Sequence, residues 1–411
     1  MHKAVQRQLS PDSAESIASS ITDFDTFNPD HTAAKWAYFK QSQAGQCPVR
    51  HTAVAGGLWL VTRYEDVRAV LDDWQTFSSV NAPIVETGPQ TGPPAPVDLF
   101  PLTYDPPVQT QVRELLNPLF SRKAVRAYEP AMRRAARELI ANWIDRGSVE
   151  LLSEFARPYI GKLLTAIIFA GMSAEDMAHA EELVHASAEH TSEDSFNAIR
   201  NCAAGYLPTA RTLHLSDDTV VGRLLGAEVE GRPVTDDEAT SGLMLLLLGG
   251  LGTTQAAIGS IAYRVCTNPG LESRLRDKQW IRRDLDEFLR LDAPVSCMAR
   301  TATRDVELGG VQIRAGQRVQ IQYDAANRDE RRFTRPEELV LDEPRPGHLS
   351  FGSGVHRCMG SHLARLQIEV AFDELLAQIS TMRLAPDAAP VWVPGVDNCL
   401  REVPIEYDRV G

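Results

Sequence analysis

The spacing of apolar residues along this chain predicts a mainly α-helical protein with a small β part. Between residues 108 and 212, apolar side chains recur at intervals of three and four, as at Val112, Leu115, Leu116 and Leu119. That periodicity places them on one face of a helix, so the stretch is predicted to be almost wholly helical. Such helices bury their apolar faces against each other, which indicates a layered helical core.

A second long helix is predicted from about Thr235 to the sequence Asn268-Pro269-Gly270. The acidic residues 236–238 follow Thr235 and favour a helix N-terminus, whereas proline and glycine favour its end. The apolar residues of this helix occur on every side, which is typical of a helix that is buried all round. We therefore expect it to be the central helix of the core.

Shorter elements flank these helical regions. Residues 58–62 have the composition of a strand, and helices are predicted over 65–71 and 275–291. Alternating residues further on predict two strands joined in a hairpin at Arg314-Ala315-Gly316-Gln317. An amphipathic helix begins at Ser361, and a short β tail follows it. The expected fold class is α+β, mainly α, in one domain that spans residues 1–411.

Two segments stand apart from this pattern. Residues 1–30 are polar and of mixed charge, so they are predicted to be an N-terminal extension. Residues 78–107 contain eight prolines after position 81. Proline can continue neither a helix nor a central strand. This segment is predicted to be a flexible loop that contributes to a binding site, because a connection of this length is usually functional.

Composition and charge limit the function. The 411 residues are 43% apolar and 24% charged, which is ordinary for a globular protein. The formal net charge of −13 disfavours binding to nucleic acid or to an anionic membrane. The most apolar run, 243–251, is about half as long as a membrane span, and 1–30 lack the apolar core of a signal peptide. We expect a cytoplasmic protein without stable membrane association.

One of the six cysteines has an unusual setting. None of the cysteines forms a C-x-x-C pair, which argues against a disulfide framework and a four-cysteine zinc site. Cys358 lies in the sequence FGSGVHRCMG, residues 351–360, just before a predicted helix whose N-terminus would lower the thiol pKa. A buried structural cysteine, a zinc ligand and a catalytic nucleophile are alternatives. A flat metal cofactor, such as haem, fits the glycines and the adjacent cations better.

The predicted central helix contains three glycines within four residues. Gly249, Gly250 and Gly252 each cost about 1 kcal/mol relative to alanine. Close packing against another helix would explain them, and so would a ligand that approaches the backbone. Thr253 and Thr254 can hydrogen-bond to carbonyl groups where a helix opens. The glycines and threonines together favour a ligand site at an opened helix.

These residues resemble the cytochrome P-450 family of haem-thiolate monooxygenases. The likeness rests first on Phe351-Gly352-x-Gly354-x-His356-x-Cys358-x-Gly360, which is similar to the family's haem loop. Glu287-x-x-Arg290 is similar to its E-x-x-R pair, and residues 249–254, GGLGTT, to its oxygen-binding helix. Family text also matches at 59–64, 326–329 and 348–351. The resemblance extends over nearly the whole chain and implies a triangular helical bundle around a buried haem.

The resemblance implies roles for individual residues. Haem b would be the cofactor, with the Cys358 thiolate as axial metal ligand. Glu287 and Arg290 would be a structural pair, completed by Arg345. Further cofactor contacts are implied for Gln109, Arg113, Gly249, Arg300, Phe351, His356 and Gly360, with Gln109, Arg113, Arg300 and His356 facing the haem carboxylates. Gln109 stands where the family commonly has histidine.

The implied reaction inserts one atom of dioxygen into a small-to-medium hydrophobic substrate. Thr253 matches the oxygen-activating threonine, with Gly252 and Thr254 beside it as catalytic candidates. The family usually has an acid where this chain has Gly252. A peroxide-using or non-redox enzyme (an isomerase or dehydratase) and a non-catalytic haem-thiolate sensor or carrier are therefore alternatives. The substrate pocket is predicted to include Phe100, Leu245, Met298 and Leu400.

The sequence also implies a separate source of electrons. No G-x-G-x-x-G motif follows a predicted strand, so no flavin or nicotinamide site is indicated. A 2Fe-2S ferredoxin and its reductase are the expected partners. They would bind a basic face on the cysteine side, made of Arg113, Arg122, Lys123, Arg126, Arg357 and Arg365. Substrate identity, regiochemistry and oligomeric state do not follow from the sequence.

Overall fold

The computed structural model describes residues 10–410 apart from 46, 81–96, 190, 214, 216–217 and 278–279. Its helices are α1 (Pro11–Ser20), α2 (Pro29–Ala44), α3 (Tyr64–Asp72), α4 (Val108–Leu116), α5 (Arg122–Arg126), α6 (Glu129–Ala141), α7 (Arg157–Ile167), α8 (Ala174–Glu189), α9 (Glu193–Thr212), α10 (Val220–Leu225), α11 (Asp236–Thr267), α12 (Leu271–Leu275), α13 (Trp280–Arg283), α14 (Leu285–Leu291), α15 (Tyr323–Ala326) and α16 (Ser361–Gln378).

The strands are short and form four small sheets. They are β1 (Val49–Thr52), β2 (Leu58–Val61), β3 (Phe77–Ser78), β4 (Ser148–Glu150), β5 (Glu228–Val229), β6 (Arg232–Pro233), β7 (Cys297–Ala302), β8 (Val306–Leu308), β9 (Val311–Ile313), β10 (Arg318–Gln322), β11 (Ile379–Leu384) and β12 (Pro404–Arg409). The largest sheet has the order β1-β2-β10-β7-β3, and a second has the order β11-β12-β4. Two hairpins, β5-β6 and β8-β9, complete the β part.

The predicted central helix is confirmed as α11. It begins with a capping box, in which Thr235 Oγ1 accepts from the backbone of Glu238 and the Glu238 carboxylate accepts from the backbone of Thr235. The helix packs against α7, α8, α9 and α16. Among the described residues, α11 is the one helix that is both long enough and apolar enough to cross a membrane. However, 61% of its most apolar 18-residue stretch is buried inside the protein. Those contacts are typical of a core helix.

The turn of the predicted hairpin was placed at residues 314–317, which is wrong, because the observed hairpin turns between β8 and β9. Gly309 and Gly310, with φ of 57° and 84°, form the turn between β8 and β9. Two adjacent residues with positive φ suit a tight hairpin, which is why glycine occupies both. At the predicted turn, the Gly316 N–H donates instead to the carbonyl oxygen of Ala302. The chain then enters β10, which pairs with β2 and β7 and not with β9.

Two helical predictions also need correction. The helical stretch 108–212 is interrupted by β4, which begins directly after Gly147 with its φ of 74° and pairs with β12. The single helix predicted over 275–291 is divided among α12, α13 and α14. Asp284 lies fully buried at the last junction, where its carboxylate accepts from Arg274 and Arg283. Charge pairing therefore decides the local structure there.

The segment predicted to be a polar extension, 1–30, contains a packed helix. Side chains at the end of α1 and just beyond it, Ala18, Ile21 and Phe24, are buried, and the Phe24 ring stacks on that of Tyr38 in α2. Residues 10–30 therefore contribute to the core. The proline-rich loop predicted over 78–107 lies mostly outside the described residues, so its flexibility stays a prediction.

The predicted structural pair forms one buried charged cluster. The guanidinium of Arg290 donates to both carboxylate oxygens of Glu287, at 2.7 and 2.9 Å. Its remaining hydrogens reach the carbonyl oxygens of Asn327, Pro336 and Glu338. Both side chains are at most 3% exposed.

The same carboxylate ties a distant segment to α14. Glu287 accepts from the backbone of Val340 at 2.9 Å and from Nε of Arg345 at 3.2 Å. Burial raises the pKa of Glu287, but the bonds from Arg290, Val340 and Arg345 outweigh it and hold the pKa below its usual range. The carboxylate is therefore the centre of the cluster, and its charge is balanced in the folded state.

We expect Glu287→Gln to lower the free energy of unfolding by about 3–5 kcal/mol, because two buried guanidinium groups lose their shared counter-charge. Chemical denaturation measures the effect. Glu343→Gln is the matched control, since Glu343 pairs with Arg335 where both side chains are about half exposed. That pair is worth at most about 1 kcal/mol. Equal stability losses in the two variants would contradict this account of the cluster.

Candidate functional site

The loop 351–360 is held tightly against α3. Gly352 and Gly354 have φ of 68° and 63°, a conformation that favours glycine. A side chain on Gly354 would also collide with the carbonyl oxygen of Leu71 in α3. Ser353 Oγ donates to the carboxylate of Asp72 at 2.5 Å. These contacts fix the loop on one side, and α16 begins directly after it.

Cys358 lies inside this loop and faces open space. Its backbone N–H donates to the carbonyl oxygen of Phe351 at 2.8 Å. The residue keeps accessible surface, yet burial dominates the electrostatics of its thiol, so we interpret the open space as lying inside the protein. Among the described residues, no group of three or more His, Cys, Asp or Glu side chains converges as a metal cluster.

The expected lowering of the thiol pKa is wrong for this structure. Burial raises the pKa of Cys358 above its usual range. The N–H of Gly360 and the charges of Arg113, Arg357 and Arg365 oppose that rise without cancelling it. Desolvation disfavours the thiolate more than the nearby cations favour it. A metal ion would reverse this balance, because a coordinated thiol loses its proton.

Helix α4 braces the cysteine loop from the other side. Gln109 is buried, and its Nε2 donates to the carbonyl oxygen of Val355 at 2.6 Å. One turn later, Arg113 Nη2 donates to the carbonyl oxygen of Arg357 at 2.7 Å. Sequence reasoning assigned both side chains to the haem carboxylates and missed these loop contacts. No sequence signal identifies them, since they depend on how α4 docks.

Arg300 is a buried cation without a counter-ion. Its side chain is almost fully buried, and its Nη1 donates to the carbonyl oxygen of the adjacent Ala299 at 2.7 Å. No carboxylate in the described part of the chain forms an ion pair with it. Burial therefore lowers the pKa of Arg300, and the nearby Tyr323 and Asp105 offset only part of that effect. Such a group is costly unless a ligand supplies negative charge.

His356 contributes a hydrogen bond rather than the expected positive charge. Its Nε2 lies 3.0 Å from Ser79 Oγ. Burial, together with the charges of Arg300 and Arg113, lowers its pKa to about 3. Two other predicted carboxylate partners, Arg113 and Arg300, thus act electrostatically on His356, which places both cations near its imidazole. The imidazole is neutral at physiological pH.

One row of residues on α11 faces a cavity. Leu245, Gly249 and Thr253 are spaced by four residues and share a helix face. All three keep accessible surface, although most neighbouring residues of α11 are buried. A side chain added to Gly249 would meet nothing within 4 Å. Because α11 is packed on its other faces, this row marks internal space next to the helix.

The expected opening of α11 at the glycines is not present. The helix is continuous through residues 249–254, and Thr253 Oγ1 donates to the carbonyl oxygen of Gly249 at 2.9 Å within it. Thr254 is buried on the other side of the helix, so its assignment as a catalytic residue is not supported. Gly250 serves packing, since an added side chain would press on Leu164.

The four predicted pocket residues have different environments. Phe100 is fully buried, and Leu400 is 2% exposed, so both belong to the core rather than to a cavity wall. Leu245 is partly buried in the row on α11. Met298 lines a small cavity that also contacts Phe27 and Val396. Only Leu245 and Met298 thus have surface that a ligand could contact.

These features fit a haem group. The loop offers one thiol in an enclosed space, and Arg300 with Arg113 supplies positive charge that no carboxylate of the described chain neutralises. Gly249 leaves room beside α11 for a flat ligand. The haem carboxylates would be held by Arg113, Arg300 and His356, and the iron by Cys358. Bound haem would supply the activation of dioxygen.

Comparison with known proteins gives the same result. A cytochrome P450 family profile matches residues 167–381. The chain is 32% identical over 357 residues to nocardicin C N-oxygenase of Nocardia uniformis subsp. tsuyamanensis, which covers 85% of this chain and 88% of that protein. It is 31% identical to vitamin D(3) 25-hydroxylase of Pseudonocardia autotrophica, with coverages of 82% and 85%.

Solved structures agree as well. A mutant of P450 EryK in complex with erythromycin B superimposes with a TM-score of 0.81 and 26% identity, covering 92% of this chain and 96% of that chain. The expected α+β fold and the haem-thiolate cofactor are confirmed by these relatives. The chain belongs to the cytochrome P450 family and is a haem-thiolate monooxygenase of the bacterial type.

Proposed function

We propose that this P450 monooxygenase acts on small-to-medium hydrophobic molecules and receives its electrons from a 2Fe-2S ferredoxin and its reductase. The observation that carries the proposal is the row Leu245, Gly249 and Thr253, which offers an apolar wall and one hydroxyl group to the cavity beside α11. Apolar walls with few polar groups are typical of sites for such ligands. Thr253 is the proposed residue for oxygen activation.

The chain's own residues divide the remaining tasks. Arg300 and Arg113 hold the carboxylates of the cofactor, while Gln109 keeps the cysteine loop in place through Val355. Thr253 presents a hydroxyl group that is fixed by its bond to Gly249. Burial of the cavity excludes bulk water, which strengthens each of these electrostatic contacts. A single-domain, cytoplasmic protein is the organisation we propose.

A basic patch near Cys358 supports the proposed electron donor. Burial lowers the pKa of His362, and the charges of Arg122, Arg365 and Arg357 lower it further, so these charges converge on the start of α16. Arg365 is paired with Asp286 at 2.6 Å, whereas Arg122 and Arg357 have no ion pair among the described residues. Free cations on a protein of net charge −13 favour an acidic partner at this face.

Two of the predicted cations contribute less to this patch. Arg126 is bound to Glu129 at 2.7 Å and lies 3.6 Å from Glu369. Arg113 points its guanidinium into the cysteine loop. The proposed docking patch therefore consists of Arg122, Lys123 and Arg357, with Arg365 partly neutralised.

We expect Arg300→Leu to release haem about 10- to 100-fold faster, because a charged hydrogen-bond donor of this kind is worth roughly 1.5–3 kcal/mol. The apoprotein should be no less stable, since the substitution removes an unpaired buried charge. Haem transfer to apomyoglobin measures the first effect, and thermal unfolding of the apoprotein the second.

Arg318→Leu is the control for Arg300, because it removes a partly buried cation whose pKa burial also lowers. Its Nη1 donates to the carbonyl oxygen of Ala55 at 3.2 Å, in the segment between β1 and β2 and outside the cysteine loop. Haem release should stay at the wild-type rate in this variant. Unchanged haem release in Arg300→Leu would contradict the assigned role.

For electron transfer, Arg122→Gln should raise the KM for a 2Fe-2S ferredoxin about 3- to 10-fold and weaken its salt dependence, since one attractive charge is lost. Turnover at saturating ferredoxin should not change. Arg314→Gln is the control, because Arg314 is an equally exposed cation in the turn between β9 and β10. A ferredoxin-independent turnover driven by hydrogen peroxide would favour the peroxide-using alternative.

A further inference from the structure

Asp397 is a carboxylate held in the interior by a rigid backbone. The N–H of Asn398 donates to the carbonyl oxygen of Pro294 at 2.8 Å, and that of Ser296 to Val396 at 2.7 Å. Asp397 itself forms a β-bridge with Val295. The residue keeps accessible surface, while burial among protein atoms raises the pKa of its carboxyl group. It therefore lines internal space, and its position is fixed by the main chain.

The carboxylate lies against the glycine-rich part of α11. A methyl group built on Gly252 would be 3.4 Å from Oδ2 of Asp397 and 3.9 Å from Val184 in α8. An acidic side chain at position 252 would bring two carboxylates together. Glycine at this position thus leaves room for Asp397 beside the row that ends in Thr253.

Asp397 has no partner in the described part of the protein. No hydrogen bond or ion pair reaches its side chain, and burial alone raises its pKa to about 6. Gly252 and Val184 face it from α11 and α8, and neither carries charge. His185, the next residue of α8, has an interaction of its own. An ionised carboxylate in such a place is unfavourable unless a ligand brings the opposite charge.

The geometry does not make Asp397 a proton donor to Thr253. The Thr253 hydroxyl hydrogen is directed to the carbonyl oxygen of Gly249, and no hydrogen bond joins Thr253 and Asp397. The carboxylate comes from the segment that precedes Leu400 and lies against Gly252. The position of Asp397 is better explained by a charged group on the substrate that pairs with it than by proton transfer from Asp397 to Thr253.

We infer that Asp397 selects substrates that carry a cationic nitrogen, by pairing with that nitrogen inside the cavity. The inference rests on the proposed function and narrows its substrate class to hydrophobic molecules with one ammonium group. The apolar surface of Leu245 would contact the rest of the molecule. Asp397 is thus a specificity-determining residue and takes no part in oxygen activation.

Two probes of the same shape test the inference. Benzyltrimethylammonium carries a permanent charge and cannot coordinate iron, and neopentylbenzene is its neutral carbon isostere. The holoenzyme is titrated with each by calorimetry and by haem difference spectroscopy. At pH 7.5, Asp397→Asn should weaken the binding of the cation about tenfold, which corresponds to about 1.4 kcal/mol. The Kd of neopentylbenzene should not rise.

The pH dependence gives a second signature. The pKa of Asp397 lies at about 6, so the charge that attracts the cation is present above that pH and is lost below it. Cation binding to the wild type should weaken about tenfold between pH 7.5 and pH 5. The Asp397→Asn variant should show no such change, because benzyltrimethylammonium does not titrate. Neopentylbenzene should bind equally at both pH values.

The controls separate the possible outcomes. Glu402→Gln removes an exposed carboxylate of the same C-terminal segment and should leave both affinities unchanged. Equal cation affinity in wild type and Asp397→Asn would overturn the inference while neopentylbenzene binding still supports a hydrophobic pocket. Unaltered binding with increased peroxide release in Asp397→Asn would likewise overturn it and assign Asp397 to proton delivery. Failure of neopentylbenzene to bind would instead refute the proposed substrate class.

Discussion

Uncompensated positive charge around an enclosed thiol is the constraint on which this site depends. Arg300 is buried without a carboxylate partner among the described residues, and Arg113 is directed into the same loop. Burial, together with the charges of these two cations, lowers the pKa of His356 to about 3, so its imidazole is neutral. A protein tolerates such an arrangement when a ligand completes it, because an isolated buried cation is expensive. Bound haem would supply the two missing elements, carboxylates for the cations and a metal for Cys358.

The surrounding fold keeps this arrangement rigid. Gly354 lets the loop touch α3, and α4 holds two of the loop's carbonyl oxygens. Beneath, the cluster centred on Glu287 joins α14 to the segment that leads into the loop. On the opposite side, α11 offers a row of residues with open space beside it. Each support comes from a different part of the chain, which is why the site requires nearly the whole sequence.

Much of this could be predicted from sequence where one local signal was sufficient. The distribution of apolar residues and the residues typical of helix ends predicted α11. The glycines around Cys358, with their resemblance to a known motif, predicted the haem loop. The prediction was wrong where a distant partner decides the structure. Asp284 divides a predicted helix because Arg274 and Arg283 reach it. Gln109 binds the loop because α4 docks there, and nothing in its neighbours reveals that contact.

The inner surface of the cavity was least predictable. Asp397 belongs to no recognisable sequence motif. Its proposed role depends on its proximity to Gly252, which lies 145 residues away in the sequence (397 − 252). Conversely, Phe100 and Leu400 were predicted to line the pocket, but both are core residues. Their burial depends on how the helices and strands pack, which amino-acid composition does not show. Motifs therefore locate the chemistry of this protein, whereas its selectivity depends on contacts between remote segments.

The central claim is that Cys358 is the thiolate ligand of haem, and one spectrum tests it most directly. The reduced protein with carbon monoxide should show the red-shifted Soret band of a thiolate-ligated haem. Cys202→Ser, which replaces a partly buried cysteine in α9, should keep that band, and Cys358→Ser should lose it. A Cys358→Ser protein that binds haem and retains the red-shifted band would contradict the claim.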